Sequence, residues 1–419
     1  MIEIRPLTHL NATVTIPGSK SVTHRALIVS ALADGESVLI NALQSEDTEY
    51  TRRGLETFGV EIFSEKNRLH VRGSGGLLKT GDRSIFAGNS GTSMRFLTAL
   101  AALKNGCTLL DGDERMRKRP MAGLLEGLSA LGIEAYSRNG DGCPPVRIES
   151  QGLRGGMAGI RGGESSQFLS ALLMIAPYAL EDVGLEVTGS LSSMPYIDIT
   201  REVMSAFGVE VRSDGYPSFL VQRGQRYLSR EYVVEGDASH ASYFFSAAAI
   251  TRGKVRVENF KTDSVQGDAG FPALLEKMGC HVARGDRWAE VSGKKLHGIE
   301  IDMNTVPDLV PTMAVTAAFA RGKTVIKNIA HLRLKESDRI SALTEDLSKM
   351  GIRVEEGKDW LAIQGGKAHG AEIETHNDHR LAMSFAVAGL AVPGIKIKEE
   401  QCVNKSFPGF WKEFQRLYL

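Results

Sequence analysis

Apolar and polar positions along the chain fall into a strand–turn–helix pattern that recurs six times. In its first copy the apolar segment 12–16 stops at Pro17-Gly18, small polar residues follow, and a helix rich in small apolar residues is predicted over 25–33. The pattern returns as a strand over 84–87, a turn over 88–95 and a helix over 96–103. Four further copies place strands at 158–161, 232–235, 299–302 and 372–375, and helices at 168–180, 243–250, 312–320 and 381–390. Each helix is apolar nearly all round, which predicts burial. Each also starts at a turn where unpaired backbone N–H groups and the helix dipole converge, an arrangement that attracts anions. Any one such turn could be an ordinary helix cap. The recurrence is what argues for a shared site.

A second kind of helix alternates with the first and stops at a glycine, at positions 59, 132, 208, 279 and 351, a spacing of 71 to 76 residues. These glycines suit the left-handed position just past a helix C-terminus, where a Cβ is costly. Alternating strand pairs follow, such as Val60/Ile62 with Leu69/Val71 and Ile352/Val354 with Leu361/Ile363. The repeating unit is therefore β-α-β-α-β-β, and its period is too long for the common solenoids. The sixth copy ends with its second helix, over 408–417. Strands at 2–6 and 13–16 are expected to complete it, which brings the two termini together.

Composition narrows the class. The 419 residues, 42% of them hydrophobic, suffice for two or three domains with substantial cores. A formal net charge of zero excludes binding to nucleic acid or membrane surfaces through a basic excess. The four cysteines, Cys107, Cys143, Cys280 and Cys402, form no C-x-x-C and read as reduced thiols of a cytoplasmic protein. The N-terminus lacks a signal-peptide core, and no uncharged apolar run reaches the length of about twenty residues that a membrane span needs. G-S-K-S lacks the earlier glycine of a phosphate-binding P-loop, and no G-x-G-x-x-G follows a strand. His376 and His379 alone make a poor metal site. No metal and no cofactor are expected.

The turns share a chemistry. Lys20, Arg25, Arg95, Arg119, Lys335, Arg339, Arg380 and Lys405 supply positive charge. Ser21, Asn89, Thr92, Ser165, Ser166, Gln167 and Ser193 supply neutral donors. Carboxylates are few: Asp308, Glu336 and Asp338. Such a set suits one or two small ligands that carry several phosphates or carboxylates. Asp308 and Glu336 could be acids and bases in a cationic cleft, or equally caps and ion-pair partners.

The motifs P-G-S-K-S-V-T-H-R-A-L, G-N-S-G-T-S-M-R, R-M-R-K-R-P, S-S-Q-F-L, P-Y-I-D-I-T, D-M-N-T-V-P-D, R-L-K-E-S-D-R, N-D-H-R-L-A-M and K-S-F-P run in order from residue 16 to residue 408. Together they resemble the enolpyruvyl transferase family, most closely its EPSP synthase branch. The resemblance implies a two-domain inside-out α/β barrel of six β-α-β-α-β-β repeats, three per domain. It puts residues 1–18 with 236–419 in one domain and 19–235 in the other, with the active site between them. The implied reaction moves the enolpyruvyl group of phosphoenolpyruvate to the 5-hydroxyl of shikimate 3-phosphate, through a tetrahedral intermediate. Phosphate is released.

Residue by residue, the resemblance assigns shikimate 3-phosphate to Lys20, Ser21, Arg25, Ser165, Ser166, Gln167, Ser193, Asp308, His331 and Lys335. His331 stands where many relatives carry asparagine. Phosphoenolpyruvate falls to Lys20, Gly91, Arg119, Gln167, Arg339, Arg380 and Lys405. Asp308 is the implied base for the hydroxyl, and Glu336 or Lys20 the acid and base for the methylene carbon. A monomer that needs only these two small substrates is expected, and sensitivity to the phosphoenolpyruvate competitor glyphosate is implied. The alternative is the related UDP-N-acetylglucosamine enolpyruvyl transferase, which resembles the chain in architecture. It normally carries a cysteine before its Arg-Pro, and here the loop reads D-G-D-E-R-M-R-K-R-P.

Overall fold

The computed structural model describes residues 1–419. The chain divides into two compact units, Gly18–Val234 and a second made of Met1–Pro17 with Glu235–Leu419. Residues 18–234 hold α1 (Lys20–Leu32), α2 (Glu46–Thr57), α3 (Gly91–Leu100), α4 (Ala122–Ala130), α5 (Ser166–Ile175) and α6 (Pro195–Ala206). The discontinuous unit holds α7 (Ala238–Thr251), α8 (Phe271–Lys277), α9 (Val310–Ala318), α10 (Arg339–Lys349), α11 (His379–Gly389) and α12 (Phe410–Gln415). Odd-numbered helices are the buried kind: every residue of α11 is buried, and in α7 only Thr251 is not. No helix is long and apolar enough to cross a membrane. All four cysteines are free thiols.

Six sheets accompany the helices, five with four strands and one with three. In the second repeat Arg83–Phe86 lies parallel to Asn105–Asp111, and the hairpin Glu134–Ser137/Val146–Gln151 extends the sheet antiparallel. Parallel neighbours need a crossover element between them, and the buried helix is that crossover. The third and fifth repeats follow the same order. The first and fourth exchange their leading strands. Asn11–Thr15, which feeds α1, lies parallel to Lys254–Glu258 of the fourth repeat. Glu231–Val233, which feeds α7, lies parallel to residues 38–40 of the first.

The expectation that both N-terminal strands complete the sixth repeat therefore holds for one of them. Ile2–Glu3 pairs with Lys396–Ile397 and takes the place of the missing hairpin. Asn11–Thr15 goes elsewhere because Val14 and Ile16 bury fully beside the α7 core. Asn259 Nδ2 holds the Ile16 carbonyl at 3.0 Å, and the Asp237 N–H holds that of Pro17 at 2.9 Å.

The buried helices also begin up to five residues earlier than their apolar pattern predicts. Ser19, Ser90, Ser165, Asp237 and Asp378 each accept a hydrogen bond from a backbone N–H of the first turn and so act as N-caps. The polar clusters that read as turns are thus first helical turns. The C-terminal glycines are as expected: Gly59, Gly132, Gly208, Gly279 and Gly351 all have positive φ, between 78° and 109°. Along the packed faces small hydroxyls pair in register. Ser242 meets Thr312 at 3.2 Å and Ser246 meets Thr316 at 2.6 Å, so α7 and α9 run parallel.

Glycine at the two chain crossings answers a steric demand. A Cβ on Gly18 would lie 1.9 Å from the Asn41 carbonyl oxygen, and one on Gly236 would lie 1.9 Å from that of Asn259. Both asparagines adopt left-handed backbone, φ 60° and 59°, and each ties down the exchanged strand of its unit. Gly18→Ala and Gly236→Ala are each expected to lower stability by at least about 2 kcal/mol, since neither backbone carbonyl can swing away as a side chain would. Urea unfolding checks this, and midpoints that match the parent protein would refute it.

Candidate active site

In residues 18–234 the assigned side chains lie on the first turns of α1, α3 and α5 and on two loops. Lys20 opens α1, and its Nζ meets Asp47 at 2.8 Å, with both side chains largely buried. Arg25, one turn further along, is 1% exposed. Its guanidinium donates to Thr200 Oγ1 at 2.7 Å, to Ser170 Oγ at 3.3 Å and to the carbonyls of Ser21 and Tyr196. Burial pushes its pKa down to about 10, which leaves it charged at neutral pH. Its four neutral partners, two hydroxyls and two carbonyls, hold its orientation without neutralising it. Ser193 sits at φ 57° next to Ser192, whose N–H bonds the Gly162 carbonyl just before the α5 turn.

The α3 turn is the most crowded part of this unit. Gln167 on α5 accepts from Arg95 at 3.0 Å and donates to Thr92 at 3.0 Å. Arg119 reaches the Asn89 carbonyl at 3.3 Å and is 5% exposed. Gly91 lies between the two arginines: a Cβ there would be 2.5 Å from Arg95 Nη1 and 2.6 Å from Arg119 Nη2. Glycine is what lets both guanidinium groups lie against the helix N-terminus.

In the other unit the assigned residues form a charge cluster. Arg339, the first residue of α10, is 1% exposed and touches three carboxylates. It meets Asp378 at 2.8 and 3.2 Å, Asp308 at 3.1 Å and Glu336 at 2.9 Å. Burial pushes its pKa down, but Asp378, Glu336 and Asp308 outweigh burial and move it up. Arg380, on the first turn of α11, meets Asp308 at 2.6 Å and the Tyr243 hydroxyl at 3.3 Å. Asp308 is thus held between two arginines and keeps 20% of its side chain exposed. Lys405 is buried and Lys335 half-buried. Burial, then the charge of Lys335, pushes the His331 imidazole down to about 3, so it is neutral at physiological pH. Its buried Nε2 has no hydrogen-bond partner in the protein. His376 is exposed on a left-handed turn and His379 fully buried, an arrangement unlike a shared metal site.

Several residues the motifs did not single out organise this chemistry. Asp378 caps α11, accepts from Ser337 Oγ at 3.0 Å and anchors Arg339. Its letter lies inside N-D-H-R, where it reads as part of a turn. Asp47 lies on α2 in a run that reads as an acidic first helical turn. Thr200 and Ser170, which orient Arg25, look in sequence like small core residues.

The family model described as EPSP synthase (3-phosphoshikimate 1-carboxyvinyltransferase) matches residues 4–414. A 3-phosphoshikimate 1-carboxyvinyltransferase of Nostoc punctiforme is 48% identical over 99% of this chain and 98% of its own length. One of Pasteurella multocida is 44% identical over 99% and 97%. A solved EPSP synthase structure from Acinetobacter baumannii superposes with a TM-score of 0.81 at 29% identity, covering 99% of this chain and 97% of that one. The match spans both units and every motif discussed above, and the chain belongs to the EPSP synthase family.

Proposed function

We propose that the protein transfers the enolpyruvyl group of phosphoenolpyruvate to the 5-hydroxyl of shikimate 3-phosphate, giving EPSP and inorganic phosphate. The observation that carries this reading is a carboxylate, Asp308, kept partly exposed between two arginines at 3.1 and 2.6 Å. A site built only to bind anions could pair its arginines through a fully buried carboxylate such as Asp378, whereas a hydroxyl nucleophile needs a base that it can reach. Arg25, with Ser165, Ser166 and Ser193, serves the phosphate and carboxylate of shikimate 3-phosphate. Lys20, Ser21, Gln167, Asp308 and Lys335 complete the set. His331 adds a neutral hydrogen bond through its unpaired Nε2, a role that an asparagine amide fills equally well.

Phosphoenolpyruvate falls to Arg119, Arg339 and Arg380, whose planar forks suit a carboxylate, with Lys20, Lys405 and Gln167. Gly91 keeps the backbone low enough for this ligand to approach. The addition step protonates the methylene carbon and joins the substrate oxygen to C2. Elimination removes a proton from that carbon as the phosphate leaves. Lys20 and Glu336 are the candidates for this proton traffic, and the surrounding cations stabilise the charge that develops. No cofactor has a part in the scheme. We assign the reaction to a monomer in the cytoplasm.

Phosphate release measured from phosphoenolpyruvate with shikimate 3-phosphate tests the proposal, with UDP-N-acetylglucosamine as the second arm. Release with the sugar nucleotide alone would overturn it. Asp308→Asn is expected to lower kcat by about 10²- to 10⁴-fold, the usual worth of a general base, while circular dichroism stays unchanged. Near-normal turnover would remove Asp308 from the mechanism. Gly91→Ala displaces flexible arginine tips rather than backbone, so the variant should fold normally. We expect it to raise KM for phosphoenolpyruvate and to relieve glyphosate inhibition. An unchanged inhibition constant would separate Gly91 from this subsite.

A further inference from the structure

A further buried carboxyl group, which the scheme above does not use, is linked through α7 to the Asp308–Arg380 pair. Asp268 sits on the short helical turn Gly267–Gly270 and is 5% exposed. The Ser239 hydroxyl on the first turn of α7 donates to it. Tyr243 follows four residues later on the same face of α7, and Arg380 donates to its hydroxyl at 3.3 Å. The turn itself is fastened to the start of α7. Gln266 Oε1 accepts from the Ala238 N–H at 3.2 Å, and Gln266 Nε2 donates to the Gly236 carbonyl at 2.8 Å. Asp268 therefore has one fixed location against α7, the helix whose Tyr243 hydroxyl accepts from Arg380.

We infer that Asp268 is a positioning residue for the transfer: its carboxyl, anchored on Ser239, sets the charge against which Arg380, paired with Asp308, receives the phosphoenolpyruvate carboxylate. The inference rests on the reading of the site proposed above. The charges that act on Asp268 are those of Asp308 on the turn before α9, Arg380 on α11 and Asp237 at the start of α7. His240, also on α7, lies 3.8 Å from Asp237 and stacks on Phe407. On α8, Glu276 and Lys277 are exposed, and Glu276 pairs with Arg284. On its own loop Asp263 is exposed, and Glu235 is taken up by Ser264 and Gln266.

Burial pushes the Asp268 carboxyl up to about 7, and the charge of Asp308 adds to the shift, while the Ser239 hydroxyl and Arg380 oppose it. Below that pH the group is neutral, and Arg380 has Asp308 as its principal counter-charge. Above it a second negative charge competes with the incoming ligand carboxylate for Arg380. The affinity for phosphoenolpyruvate should then fall as pH rises through neutrality.

The test measures KM for phosphoenolpyruvate and kcat from about pH 5.5 to 9 in the full-length protein, its Asp268→Asn variant and its Ser239→Ala variant. In the parent protein KM is expected to rise about three- to tenfold across neutrality. Asp268→Asn keeps the contact with Ser239 and removes the charge, so this rise should vanish. Ser239→Ala removes a donor to the carboxylate, so the rise should move to higher pH. An Asn variant that retains the parent's rise, or a fall in kcat with an unchanged pH profile, overturns the inference and leaves Asp268 a purely structural group. Should the Asn variant fail to fold, an unmoved rise in Ser239→Ala overturns it equally. A parent protein that turns over normally with a flat KM profile defeats this inference alone. One that releases no phosphate at any pH defeats the functional reading, and the inference falls with it.

Discussion

Two buried guanidinium groups that share one carboxylate repel each other unless more negative charge lies close by, and much of the discontinuous unit is arranged to supply it. Arg339 and Arg380 are 1% and 4% exposed. Stripping a cation of water costs several kcal/mol even after the protein relaxes. Asp378, Asp308 and Glu336 offset that cost within hydrogen-bonding distance. The partners come from three places that are distant in sequence: the turn before α9, the loop before α10 and the cap of α11. Asp378 does two jobs with one side chain, because it caps a helix whose second residue is Arg380 while it grips Arg339. The ion pairs thus tie the helix starts to one another as well as to the charges.

The other unit solves a different problem. Its buried helices are capped by Ser19, Ser90 and Ser165, which carry no charge, so their positive ends are not neutralised by the cap. Arg25 is held by hydroxyls and carbonyls alone among its hydrogen-bond partners. The discontinuous unit caps with Asp237 and Asp378 instead. The helix starts therefore differ in charge: Ser19, Ser90 and Ser165 leave theirs positive, whereas Asp237 and Asp378 place a carboxylate on theirs.

What could be read in the sequence follows from the range of the forces involved. The left-handed glycines after α2, α4, α6, α8 and α10 were legible because a helix end is a local event with a strict backbone requirement. The true starts of the buried helices were not, since Gly91, Thr92 and Ser93 look like loop residues until Ser90 caps them. The exchange of Asn11–Thr15 for Glu231–Val233 was out of reach for another reason. Both strands have the right alternation for either sheet, and only distant groups such as Asn259 and Asn41 choose between them. In the site, the cations stood out as motifs. Their partners Asp47, Asp378 and Thr200 did not, because a single acidic or hydroxyl residue in a helix carries no local sign of what it will touch.

The balance of charge around Asp308 also bears on why a base would be stored in an ion pair. A carboxylate between two arginines has both oxygens engaged, Oδ1 by Arg339 and Oδ2 by Arg380. If, as proposed, a substrate carboxylate takes over Arg339 and Arg380, both Asp308 oxygens become free to accept a hydrogen bond from the substrate hydroxyl. The exchange replaces one negative charge by another, so the two buried guanidinium groups never stand uncompensated. Binding of one substrate would then switch on the group that activates the other. A base already free without ligand would need no such pairing, but its neighbours Arg339 and Arg380 would lack its counter-charge whenever the site was empty.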